Sequence, residues 1–273
     1  MNRFEGGPRP AAEKPPIMDK ALRNEKLTPQ EVRTMFSRPG AGEWPTAEQL
    51  RDYMCSLPDR EIKGLEEHRQ EITEHGGNPD AAIAEMAELR KFEGFEINDL
   101  EQTEYYPFIA KFMEGQGISP KGVKIIAIDN PEYWKKMFGS NITKSSMESK
   151  AITIDKSRFK DLDKRQDLQS WLVHEVAHTA FYDRLGAKLP AYVKQYEKDN
   201  RYTDSANESV AYQTQFEFLK KTGWSKEQAV GFMEEYLDEA YGSADEATEE
   251  VKKEREKELK TLTGFIDAVY AQK

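Results

Sequence analysis

The chain has 273 residues, with 40 Lys and Arg against 50 Asp and Glu, a formal net charge of −10. An acidic balance of this size leaves no broad basic surface for a phosphate backbone, so no nucleic-acid partner is expected. The single cysteine, Cys55, excludes an intrachain disulfide. The first twenty residues lack the apolar run of a secretory signal, and no stretch approaches the roughly 18 apolar residues of a membrane helix. The expectation is a cytoplasmic protein with no membrane partner.

Residues 1–25 are rich in Pro, Gly and charge, and read as a disordered tail. Residues 26–100 read as a helical N-terminal region. Thr28-Pro29-Gln30-Glu31 opens one helix, with Pro at its first position and Glu at its third. Thr46 caps a second, through about Met54; Asp59 to His75 forms a third, closed by Gly76-Gly77. Asn78-Pro79-Asp80 opens a fourth that ends near Gly94.

Residues 101–242 have a different character. Glu104 to Gly115 is an amphipathic helix, and Val123 to Ile128 is a β-branched apolar run that predicts a buried strand. Residues 131–149 read as a helical start and a polar loop. Ala151 to Asp155 predicts a second strand of alternating character. Asp163 to Leu185 has no Pro or Gly and stops at Gly186, a good residue just past a helix end. A loop segment follows, then helices over about Ser205 to Lys221 and Ser225 to Tyr236. Residues 243–273 read as one charged C-terminal helix whose last part, from Leu259 to Tyr270, carries an apolar face.

Residues 174–178 read His-Glu-Val-Ala-His. With only 4 histidines in the chain, chance produces His-Glu-x-x-His about one time in a hundred. On a helix, residues four apart lie one turn above each other on the same face. His174 and His178 can therefore bind one metal ion, Zn2+ by ligand type, through two imidazole nitrogens. Glu175 lies beside the metal without needing to ligate it, as a general base for water requires. Leu168, Trp171, Leu172, Val176 and Ala180 recur at helical spacing and bury the helix.

A catalytic zinc takes three protein ligands and keeps a position open. The other histidines, His68 and His75, sit in a Glu- and Arg-rich helix and read as solvated. The third ligand is then a carboxylate. Glu197 lies 19 residues after His178 in a strongly charged stretch; Glu208 lies 30 after it, near the start of a helix whose face continues through Ala211, Tyr212, Gln215, Phe218 and Leu219. A carboxylate on such a face is costly unless a metal or partner compensates it, which favours Glu208.

His174-Glu175-x-x-His178 followed by a helix with Asn207-Glu208 resembles the gluzincin metallopeptidases. The stretch Tyr202 to Glu208 also resembles the lethal-factor-like group, in which a tyrosine shortly before the ligand glutamate assists the chemistry. The resemblance covers roughly residues 100–240. It implies an α+β, mainly helical, zincin-like domain with a small sheet, extended by helical N- and C-terminal segments. It implies one Zn2+ on His174, His178 and Glu208, with Glu175 and Tyr202 catalytic and a protein or peptide as substrate. It implies also that Ala151 to Asp155 is the edge strand that binds substrate in extended form. Tyr192, Tyr212 and Tyr241 are further candidates for stabilising an oxyanion. The resemblance is incomplete: thermolysin-like enzymes carry an aspartate four after the ligand glutamate to orient a histidine, and here that place holds Tyr212. Cys55 reads as a packing residue more readily than as a cap on the metal. The competing reading is a catalytically silent zincin-like scaffold that binds a protein partner through its helical arms.

Overall fold

The computed structural model describes residues 16–37, 44–139, 141–147, 149–198, 205–241 and 248–272. It is an α+β fold, mainly helical, around a four-stranded sheet. The strands are β1 (Phe95–Asp99), β2 (Lys124–Ile128), β3 (Thr143–Ser145) and β4 (Ala151–Asp155), in the order β1-β2-β4-β3. β2 and β4 run parallel, while β1 and β3 flank them antiparallel.

Both faces of this sheet are covered, and β2 explains why its sequence is apolar throughout. Side chains alternate across a strand. Ile125 and Ala127 point into the larger core, and Ile126 and Ile128 into a smaller one on the opposite face. The smaller core is closed by α3 (Ala47–Glu67), through Leu50 and Met54, and by α7 (Pro131–Phe138), through Tyr133 and Trp134. The larger core is built on α8 (Gln166–Leu185) and α10 (Ala206–Lys221), which lie along each other.

α8 carries the His-Glu-x-x-His motif and is buried on every side from Leu168 to Tyr182, not along one stripe. It ends at Gly186, whose φ of +49° is left-handed backbone that favours glycine. α10 begins where Ser205 accepts a hydrogen bond from the Glu208 amide, an ordinary N-cap. Around this pair sit α1 (Pro16–Leu22), α2 (Pro29–Phe36), α6 (Tyr106–Gly115), α9 (Leu189–Tyr196), α11 (Lys226–Tyr241) and α12 (Glu249–Tyr270). Leu262, Phe265, Ile266 and Val269 of α12 dock into the same core, as the apolar face of that helix predicts. No described helix is long and apolar enough to cross a membrane.

Several expectations are corrected. The chain is ordered into α1 from Pro16, and Ala21 is fully buried, so the expected tail of 1–25 is not a tail in its second part. Residues 1–15 lie outside the described residues. The expected second and third helices divide differently: α3 runs unbroken through Pro58 to Glu67, and a short α4 (Arg69–Glu74) follows, before α5 (Pro79–Leu89). β1 forms where no strand is expected, just past the expected helix end near Gly94; β3 and α9 form where loop is expected. The edge strand beside the motif helix is β3; Ala151–Asp155 is interior, paired on both sides and buried at all five positions.

Candidate metal centre

α8 and α10 cross so that His174, His178 and Glu208 converge. Their ligand atoms lie within 4.8 Å of one another, and all three residues are buried. The Glu208 Oε2 is 3.7 Å from the His174 Nε2 and 3.6 Å from the His178 Nε2. The two Nε2 atoms are 3.0 Å apart.

A relay of hydrogen bonds fixes the histidine tautomers. The Ser170 hydroxyl donates to the Asp167 carbonyl, so its oxygen is left to accept from the Gln215 Nε2. That turns the Gln215 Oε1 towards the His174 Nδ1, at 3.0 Å, which must carry the proton. On the other imidazole the Asn207 Nδ2 donates to the Tyr182 hydroxyl, and its Oδ1 accepts from the His178 Nδ1 at 2.6 Å. Both Nε2 lone pairs therefore aim at the same point and at Glu208.

Lone pairs facing each other with a carboxylate beside them repel unless a cation joins them. The energetics agree. Burial, then the neighbouring His178, holds the His174 imidazole well below its ordinary value, so it stays neutral. Burial, with Glu175 adding its negative charge, pushes the Glu208 carboxyl up to about 7. His178 and Lys144 pull the Glu208 carboxyl the other way, but burial outweighs them. Two imidazoles, each hydrogen-bonded to a side-chain amide, and one carboxylate are a donor set that fits a divalent transition metal.

Glu175, one residue along α8 from His174, lines the same cleft and accepts a hydrogen bond from the Thr143 hydroxyl of β3 at 2.9 Å. The cleft has a volume of about 530 Å3 and wraps around the β3 edge. On the α8 side of the sheet it is lined by His174, His178, Glu208 and Glu175. On the other side it meets Tyr53 and Leu57 of α3 and Met137 and Phe138 of α7. The Tyr53 hydroxyl is 3.0 Å from the Ser146 Oγ, which ties α3 to the end of β3.

Of the expected site residues, His174, Glu175, His178 and Glu208 are brought together. Tyr202 lies outside the described residues. Glu197 sits exposed on the cleft rim, outside the converging set. Tyr212 stacks edge-on against His174 and lines the cleft. Tyr192 is buried and donates to Asn24, and Tyr241 donates to Glu258 of α12; neither lines the cleft. His68, His75 and Cys55 are exposed and play no part in it. Thr143, Gln215, Tyr182, Tyr196 and Tyr236 were missed. Of these, Gln215 alone had a sequence signal, seven residues after Glu208 on the same helical face.

Comparisons with protein-family models, with curated proteins and with solved structures return no match for this chain.

Proposed function

We propose that the protein is a zinc-dependent peptidase of gluzincin type, with a zincin-like catalytic unit. The observation that carries this reading is the joint placement of two bare imidazole nitrogens, one buried carboxylate and the Glu175 carboxylate in one cleft beside an edge strand. His174, His178 and Glu208 would hold the ion. A zinc ion held there supplies Lewis acidity, lowering the pKa of water towards about 7 and polarising a carbonyl. Glu175 takes the proton of the attacking water and returns it to the leaving amine. Thr143, donating to one Glu175 oxygen, leaves the other to face the proton. An extended substrate lies along β3, whose outer edge is free of a further strand among the described residues. Tyr236, hydrogen-bonded to Tyr212, and Tyr196 present phenols to the cleft that suit an oxyanion donor, beside the earlier candidate Tyr202.

Glu175 separates this reading from a silent scaffold, because packing alone asks for no carboxylate at a buried position beside the ligands. The test pairs metal content with peptide hydrolysis. Glu175→Gln should keep one zinc per chain and lose activity by about 10²- to 10⁴-fold, the usual share of general base catalysis. Glu208→Ala should lose the zinc, and Glu197→Ala should keep it. A wild type that binds no metal after zinc loading defeats the proposal.

A further inference from the structure

The face of α11 that reaches the catalytic cleft at Tyr236, Glu239 and Ala240 continues away from it through Glu235, Phe232, Gly231 and Gln228. It forms one wall of a second groove, of about 650 Å3, that shares Ile142, Trp171, Tyr236 and Glu239 with the cleft. The two grooves adjoin along these four shared residues. From Gln228 to Ala240 a helix rises about 18 Å, room for about five residues of extended chain at roughly 3.3 Å each.

The floor of this groove is aromatic. Trp171 packs against Phe232 and Tyr236, with ring centroids 5.7 and 4.8 Å away, and Trp224 packs on Phe232 at 5.7 Å. Gly231 keeps the middle open: a Cβ built there meets nothing within 4 Å. Glu235 and Glu239 are exposed above the floor, and neither makes an ion pair or hydrogen bond with a described residue. Arg165, on the opposite wall, is neutralised by a forked pair with Asp167; Arg158 is the other cation there. In the cleft itself, Glu61, Glu197 and Lys144 are exposed lining residues.

We propose that this second groove is a distal subsite that seats an Arg or Lys side chain of an extended polypeptide substrate, about three to five residues from the bond to be cut. The aliphatic stem lies on the aromatic floor, the cation sits over the ring faces, and Glu235 and Glu239 face the charge. The lining shared with the cleft and the two exposed α11 glutamates favour a basic polypeptide over a small molecule. The inference rests on the peptidase reading for its catalytic consequence, and on the groove alone for binding.

Two measurements keep these apart. The first is binding of fluorescently labelled ten-residue peptides, with Arg, Leu or Glu at the third to fifth position from a central bond, in the presence of a chelator. Arg peptides should bind at least tenfold tighter than Leu or Glu peptides, and Gly231→Leu, whose Cβ has open space and whose side chain extends into the groove, should remove that preference. The second is the kcat/KM ratio of ten-residue to four-residue peptides on the zinc-loaded protein, which should fall at least tenfold in Gly231→Leu. Equal binding of Arg, Leu and Glu peptides, or an unaltered preference in Gly231→Leu of native melting temperature, overturns the subsite. Arg-selective binding that Gly231→Leu abolishes, with no hydrolysis of any peptide, upholds the subsite and sinks the peptidase reading instead.

Discussion

At the scale of single residues, the centre depends on amides as much as on its ligands. Gln215 and Asn207 are neutral, yet each dictates which nitrogen of a histidine is bare. Gln215→Leu removes the acceptor that holds the His174 proton on Nδ1, while leaving all three ligands in place. Losses of 10- to 100-fold in metal affinity are usual for such partners. Gln215→Leu should therefore weaken zinc binding by about that factor, read by chelator competition, with the far-ultraviolet spectrum unchanged. A second expectation comes from Glu208. Its carboxyl is raised to about 7 by burial, so a proton and a metal ion compete for it. The ionised form binds the metal, so affinity should climb as pH rises from 6 to 8. Binding at pH 6 should release a proton from Glu208 that binding at pH 8 does not. Calorimetry in buffers of different ionisation enthalpy reads this difference directly.

At the scale of elements, the ligand helix α10 is held by the segment just after α1. Asn24 is fully buried, with a φ of 55°, and its Oδ1 accepts from the Tyr192 hydroxyl and from the Ala206 amide at the start of α10. Leu27 donates its backbone amide to the Ser209 Oγ and accepts from the Gln213 Nε2. Ser209 and Gln213 lie four apart on one side of α10, while Glu208, Tyr212 and Gln215 serve the other. Both of these hydrogen bonds use the Asn24 side chain as an acceptor. Asn24→Asp keeps an acceptor, whereas Asn24→Gly keeps the backbone conformation and loses it. The glycine variant leaves two buried donors unpaired, at about 1–3 kcal/mol each, and should bind zinc more weakly; the aspartate variant should retain more of both, less the cost of burying its charge. Chemical denaturation with parallel zinc titration checks it.

This strap is one of the features that the sequence does not disclose. α8, α10, β2 and β4 were legible because each carries a local signal: an uninterrupted apolar period, a Ser cap, or a β-branched run. Glu208 was legible for the same reason, as a carboxylate on a face that must be buried. β3 has only Thr-Lys-Ser, and its register is set by β4. β1 carries just two apolar side chains, Phe95 and Ile97, and is a strand because β2 offers it an edge. Thr143, Tyr196 and Tyr236 reach the site through such long-range pairings, which no window of neighbouring residues contains.

At the scale of the whole molecule, the N-terminal third is part of the fold and not a detachable cover. The sequence suggests a boundary near Leu100, where the composition changes. The structure argues for a different outcome. β1 pairs along its whole length with β2, α3 closes the smaller core, and Val32, Met35 and Phe36 of α2 enter the larger one. Deleting residues 1–99 would expose Ile126, Ile128, Tyr133 and Trp134, all buried against α3 and β1, and would release the strap on α10. Such a surface aggregates. A point change in the same contact has a measurable scale: Leu50 is buried in that core, and leucine-to-alanine truncations in cores cost about 2–5 kcal/mol. Leu50→Ala should therefore lower the denaturation midpoint of the full chain while leaving a single transition, because a shared core unfolds as one unit. The 100–273 chain should be insoluble or lack a cooperative transition by circular dichroism. A soluble 100–273 chain that melts cooperatively and binds one zinc would show that the metal-site helices fold without the N-terminal region, and that α3 only roofs the cleft.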